Sequence, residues 1–268
     1  MADPRLIAAV EALIHAAERP GYVPLIGISG AQGAGKTTLA RAAAEALGAA
    51  RLSLDDVYLT RAGREALARA VHPLFVTRGP PGTHDLHLLS RAVGALRGAG
   101  PDDRTPLPAF DKLADDRRPE ADWPLFEGRP RAILIDGWLL GAAPQDAAAL
   151  AAPVNALERD EDPQGIWRHA ANARLAAAQP VLTHAFDAIL MLKAPSFERV
   201  LDWRCEQQAG LAPGSLPTDE RVRLGCFVAH FERITRHMLA GGARAETVVR
   251  LGPDRGIHAI DTNPGHGR

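Results

Sequence analysis

One stretch governs what this chain can fold into: GISGAQGAGKTTLA, residues 27–40, in which Gly30, Gly35, Lys36 and Thr37 satisfy G-x-x-x-x-G-K-[ST]. It follows an apolar run, YVPLIGI at 22–28, and opens into an Ala-rich run at 36–48, so the pattern predicts strand, tight loop, helix. That order has a physical use. Glycines let consecutive amides turn inward onto phosphate oxygens, and the start of the helix adds the positive end of its dipole. The phosphate-binding residues expected are Gly30, Ala31, Gln32, Gly33, Ala34, Gly35, Lys36, Thr37 and Thr38. Lys36 supplies a mobile charge for the β- and γ-phosphates, and the Thr37 hydroxyl suits Mg²⁺. The ligands expected are ATP and Mg²⁺. With no G-x-G-x-x-G in the chain, a dinucleotide is not.

The same alternation runs on. Further strands are predicted at 51–54, 131–136, 187–193, 247–251 and 256–261, with helices at 84–98, 164–178, 195–209 and 218–240. Strands apolar almost throughout and separated by helices predict a three-layer α/β fold, its mostly parallel sheet covered by helices on both faces. Right-handed crossovers then put the chemistry at the carboxyl ends of the strands. Residues 78–85 and 101–124, rich in Pro, Asp and Arg, read as long ordered loops. With 268 residues, one domain (1–268) carrying insertions over about 72–124 is expected. The first residues read as an amphipathic helix with Asp3 as cap and Pro4 in its first turn, not as a signal peptide.

Composition limits the partners. Lysine and arginine total 31 against 32 acidic residues, which leaves no net field to draw the chain onto nucleic acid or an acidic membrane. Cys205 and Cys226 make neither a zinc spacing nor a disulfide framework. A cytoplasmic protein acting on a small molecule is expected, and no feature sets an oligomeric state.

Two strand ends carry acids. RAILIDGW ends on Asp136, suited to the water shell of the metal, and RLSLDDVYL ends on Asp55 and Asp56. A carboxylate beside the phosphate loop can take the proton of an acceptor hydroxyl as the γ-phosphoryl moves. Adjacent residues of an extended chain face opposite ways, so only one of the pair is expected to serve, and Asp55 is chosen.

Seven blocks in order, GISGAQGAGKTTL, SLDDVYLT, RGPPGTHDL, LPAFDKLADDR, IDGWLLG, DWRCEQQ and HFERITRHML, resemble the plant-type D-glycerate 3-kinases and their bacterial homologues. That group is similar to the P-loop kinases for uridine, phosphoribulose and pantothenate. The resemblance implies a P-loop NTPase fold and Mg-ATP-dependent phosphorylation of the 3-hydroxyl of D-glycerate. It implies Asp55 as catalytic base, Lys36 and Arg204 as cations on the moving phosphoryl, and Asp85 as a ligand to substrate hydroxyls. Phe110 stands where a tyrosine is common, and Asp136 where glutamate is frequent.

Glycerate carries a carboxylate, so its pocket calls for a fixed cation. Arg78, Lys112, Arg117 and Arg118 lie in the two polar stretches, and His84 beside Asp85 suits a hydroxyl. Residues 204–220, with Gly210, Pro213, Gly214 and Pro217, form a candidate lid that would bring Arg204 inward; a plain helix connection is the other reading. Arg233 faces either the site or an inter-helix salt bridge, and Trp138 reads as packing. Two functional alternatives stay open: a kinase for a nucleoside, a pantothenate-like acid or a sugar phosphate, and a nucleotide-dependent switch. The switch reading lacks an N-K-x-D block.

Overall fold

The computed structural model describes residues 2–209 and 217–262. In chain order its elements are α1 (Pro4–Ala17), β1 (Leu25–Gly30), α2 (Lys36–Leu47), β2 (Ala50–Ser53), α3 (Arg61–Ala70), α4 (Leu86–Gly98), β3 (Arg104–Pro106), β4 (Phe110–Asp111), β5 (Asp116–Arg117), β6 (Leu125–Glu127), β7 (Ile133–Gly137), α5 (Ala156–Glu161), α6 (Ile166–Ala177), β8 (Ala188–Lys193), α7 (Phe197–Ala209), α8 (Thr218–Leu239), β9 (Thr247–Leu251) and β10 (Ile257–Thr262). Asp3 does cap α1, accepting from the Arg5 amide, with Pro4 in the first turn.

The main sheet runs β10-β9-β8-β1-β7-β2. All its pairings are parallel except that of β10 with β9. Strand side chains alternate between two cores, as a period of two requires. Leu25, Ile133, Ile135, Ile189 and Met191 pack toward α4, α6 and α8. Ile26, Ile28, Leu134, Leu190 and Leu192 pack toward α1, α2 and α7. Both faces are thereby buried, which is why these strands read as continuous apolar runs. Each fully buried aliphatic contributes about 1.5–3 kcal/mol by leaving water.

The register sets up the site. Asp136 lies opposite Ile28 of β1 and Ser53 of β2, so three carboxyl ends meet on one edge.

The stretch 101–124, read as a long ordered loop, contains paired strands as well. Residues 104–106 pair with 125–127, and 110–111 with 116–117, ribbons too short and too Pro-bounded to show a period. Helix α3 was not expected either. It is fully formed behind a Thr60 cap, but its buried face holds Arg64, 1% exposed, where a periodicity argument looks for an apolar residue. Among the described residues, no helix is long and apolar enough to cross a membrane.

Candidate active site

The phosphate loop leaves β1 and enters α2 through left-handed backbone at Gly33 (φ 76°) and Gly35 (φ 93°). A Cβ on Gly33 would stand 2.6 Å from Trp203 Cβ, whereas beside Gly35 the space is open. Only glycine satisfies both the angle and the fit at position 33. Gln32, Gly33, Gly35, Lys36, Thr37 and Thr38 border a cavity of about 460 Å³; Ala31 and Ala34 are buried in the core beneath. Lys36 Nζ donates to the Ala31 carbonyl at 2.8 Å. Burial pushes this ammonium below its ordinary pKa, while Asp136 and Asp55 pull it back up.

Asp136 is buried and fully engaged. Thr37 Oγ1 donates to its Oδ2 at 2.9 Å, Ser53 Oγ to the same oxygen at 3.2 Å, and Arg51 Nε to Oδ1 at 3.2 Å. No group of three His, Cys, Asp or Glu side chains suited to a metal occurs among the described residues. A hydroxyl and a carboxylate, hard oxygen donors on the cavity wall, fit a Mg²⁺ ion that takes its remaining ligands from phosphate and water.

Asp55 reaches the cavity by a route other than the one expected. Residues 54–57 form a 3₁₀ turn with Ser53 as its cap, not an extended strand end. The turn directs Asp55 into the cavity. Tyr58 Oη donates to Asp55 Oδ1 at 2.6 Å, and Lys112 Nζ donates to Oδ2 at 2.6 Å. Burial alone would raise the Asp55 carboxyl, but the Lys112 charge and hydrogen bond, the Tyr58 hydroxyl and Lys36 outweigh it and hold it at about 2. Its neighbour Asp56 goes the other way, pushed to about 6 by burial, with Asp55 and Asp136 adding to the rise against the pull of Arg51.

The remaining candidates divide. Arg78, Lys112 and Arg204 line the cavity with Asp55. Arg78 bonds Asp115, as does the buried Arg64 at 2.8 Å, so two guanidiniums share one carboxylate. Arg204 is drawn below its usual pKa by burial and donates to Gln207 Oε1 at 3.0 Å. Asp85, His84 and Arg117 stand behind Tyr58, off the cavity wall. Asp85 caps α4 through the Leu88 amide and accepts from Arg117 at 3.0 Å, while Arg117 also bonds the Tyr58 carbonyl at 2.9 Å. His84 packs its ring 4.8 Å from that of Tyr58 and borders a separate small cavity with Gly82, Arg174 and Leu182. Arg118 is not on the wall, and Arg233 pairs with the buried Glu158. Of the candidate lid, residues 210–216 lie outside the described residues.

Sequence reasoning missed three wall features. Tyr58 follows Asp55 by three residues, the spacing of one tight turn, and that signal was there to find. Arg255 has no local signal. At φ 65°, in the turn between β9 and β10, it donates from Nε to the Gly33 carbonyl at 2.8 Å, lies over the Trp203 ring at 5.2 Å and pairs with Glu206 at 2.6 Å. Phe227 and Phe231 complete an aromatic side with Trp138, whose Nε1 donates to the Gly79 carbonyl at 3.1 Å.

Comparison with known proteins gives three informative matches. A kinase of Schizosaccharomyces pombe described as uncharacterized kinase mug58 is 32% identical over 201 residues, covering 70% of this chain and 70% of that protein. The chloroplastic D-glycerate 3-kinase of Arabidopsis thaliana is 31% identical over 244 residues, covering 85% of this chain and 49% of that protein. The solved structure of D-glycerate 3-kinase from Cryptococcus neoformans superposes with a TM-score of 0.74 at 21% identity, covering 96% of this chain and 97% of that one, a likeness of fold. No family model matches the chain.

Proposed function

The chain belongs to the D-glycerate 3-kinase family of P-loop kinases, and from that premise we propose that it transfers the γ-phosphoryl group of Mg-ATP to the 3-hydroxyl of D-glycerate. It is a phosphotransferase acting on an alcohol. The observation that supports the acceptor reading is that one carboxylate, Asp55, lines the same cavity as the phosphate loop and the cations Arg78 and Lys112, with Lys112 paired to it at 2.6 Å.

Phosphoryl transfer asks the protein mainly for positioning and charge. Residues 30–38 hold the triphosphate on main-chain amides, and Lys36 and Arg204 bear on the charge of the transferring group. Mg²⁺ held through Thr37 and Asp136 would neutralise phosphate charge and fix the outer phosphate. Asp55 orients the acceptor hydroxyl and takes its proton. Arg78 and Lys112 together supply the cations that meet the acceptor carboxylate. Asp85, His84 and Arg117 act from behind by fixing Tyr58 and the turn that carries Asp55. Cations beside the base favour an anionic acceptor over a neutral nucleoside.

The test is product identification. Purified protein with Mg-ATP and D-glycerate should yield ADP and 3-phosphoglycerate. Formation of 2-phosphoglycerate would overturn the hydroxyl assignment, and transfer only to pantothenate, uridine or a sugar phosphate would overturn the acceptor.

A further inference from the structure

The base in this site is already occupied. Lys112 Nζ lies 2.6 Å from Asp55 Oδ2, so the carboxylate meant to receive a hydroxyl proton is spending its lone pairs on an ammonium. Lys112 sits at the tip of a ribbon whose two ends behave differently. Its root is pinned: Phe110 is buried edge-on to Tyr58 at 5.3 Å, the Arg118 amide donates to the Ala109 carbonyl at 3.0 Å, and Asp115 is held by Arg64 and Arg78. At its tip the backbone is closed by Asp111 Oδ1, which accepts from the Leu113 and Ala114 amides at 2.9 and 3.1 Å, but the side chains are open: Lys112 is 56% exposed and Leu113 fully so. A four-carbon stem on a fixed root can change partner without moving the fold.

We propose that Lys112 is the acceptor-sensing residue: the carboxylate of the acceptor draws its ammonium off Asp55, and only then does Asp55 accept the hydroxyl proton. This rests on the acceptor reading above. Once Lys112 has moved, a bond forms from the acceptor oxygen to the γ-phosphorus. The bond from that phosphorus to the β–γ bridging oxygen breaks with its electron pair leaving on ADP, and the hydroxyl proton passes to Asp55. The other groups whose charge or hydrogen bonds bear on Asp55 are Tyr58, Lys36, Arg204, His84 and Asp56, and none of them extends from an exposed tip as Lys112 does. With Lys112 in place the carboxyl is held at about 2, a poor proton acceptor; with it gone, the strongest influence that lowers it is lost and its basicity rises. Water arriving without an acceptor meets a base that is tied up, which suppresses wasteful hydrolysis of ATP.

The experiment uses wild-type protein first. D-lactate carries the carboxylate of D-glycerate but no 3-hydroxyl, and glycerol carries the hydroxyls but no carboxylate. D-lactate should raise ADP release several-fold over the basal rate, and glycerol should not. Lys112→Met should raise basal hydrolysis, abolish the D-lactate effect and increase the acceptor KM by about 10- to 100-fold through loss of a charge-assisted contact. If D-glycerate is phosphorylated while D-lactate competes with it and leaves ADP release at the basal rate, the gate is wrong and the acceptor reading stands. The same holds if Lys112→Met keeps wild-type basal hydrolysis and acceptor KM. If D-glycerate is not phosphorylated at all, the acceptor reading falls and the gate with it.

Discussion

The phosphate-loop end of the cavity and the end built from residues 55–118 hold their side chains in place by different means. At the first, position comes from the main chain. β1 lies in register between β7 and β8, Gly33 abuts Trp203, and Asp136 is fixed by three donors, two from β2 and one from the first turn of α2. At the second, β4 and β5 contribute two residues each, and place is kept by charge. Arg64 and Arg78 converge on Asp115, and Arg117 ties Asp85 to the Tyr58 carbonyl. The difference has a reason. A triphosphate presents the same oxygens to every enzyme, and a rigid bend of amides suits it. An acceptor must be told from its rivals by side chains, which can be altered without disturbing the sheet.

Breaking the molecule at either end should therefore give separable defects. The largest effect belongs to the seam between them: Asp55→Asn should lower kcat by about 10² to 10⁴ with ATP binding nearly intact, and unchanged turnover in steady-state assays would remove the base assignment. Next comes the main-chain end. Gly33→Ala places a Cβ at φ 76° and against Trp203, and 1–3 kcal/mol of strain is typical of such positions. The ATP KM should rise by roughly 5- to 150-fold with the acceptor KM within about twofold. The charge-held end should show the reverse and smaller response. Asp115→Ala leaves Arg64 and Arg78 without their shared carboxylate, so the acceptor KM should rise about tenfold while the ATP KM holds. Equal shifts in both KM values, for either variant, would mean that the two ends are one mechanical unit.

The same division decides what could be read beforehand. Strands and helices of the nucleotide end were legible to within a few residues because both faces of the sheet are buried and each strand is apolar along its length. The position of Asp136 follows from a strand that runs into Asp-Gly. Asp55 also lies on the cavity, though the argument from an extended chain does not describe it, since a 3₁₀ turn sets its direction. At the acceptor end the information is carried by long-range ion pairs such as Arg64 with Asp115, 51 residues apart, and these leave no periodic trace. That is why α3 and both ribbons were hidden, and why Arg78, Lys112, Arg117 and Arg118 could not be ranked until Asp115 and Asp85 had claimed their partners. Arg255 is the extreme case, reaching the loop from 222 residues away.

A change in stability with pH, and not in either KM, tests how the acceptor end is joined to the core. His84 is 8% exposed, its ring lies against Tyr58, and burial depresses its pKa from 6.5 to about 4, with only a modest opposing pull from Asp55. A group held neutral in the folded state but protonated when unfolded makes stability fall with acid. The unfolded chain binds a proton near pH 6.5, the folded one only near pH 4, and the loss accumulates across that interval to about 3 kcal/mol at most. Asp56 works in the opposite sense over an overlapping range. Its folded pKa of about 6 lies above the ordinary 3.8, so it favours the folded state at low pH and withdraws that support as pH rises. The wild-type profile is thus a difference of two opposed slopes, and single variants are needed to separate them. Urea midpoints measured from pH 7 to pH 4 should fall less steeply in His84→Phe than in wild type, because the ring that resists protonation is gone while the contact with Tyr58 is kept. Asp56→Asn should do the reverse, steepening the fall by removing the acid-side support. Parallel profiles for wild type and His84→Phe would mean that this imidazole is protonated as easily folded as unfolded. The acceptor end would then be open to water where the structure has it closed.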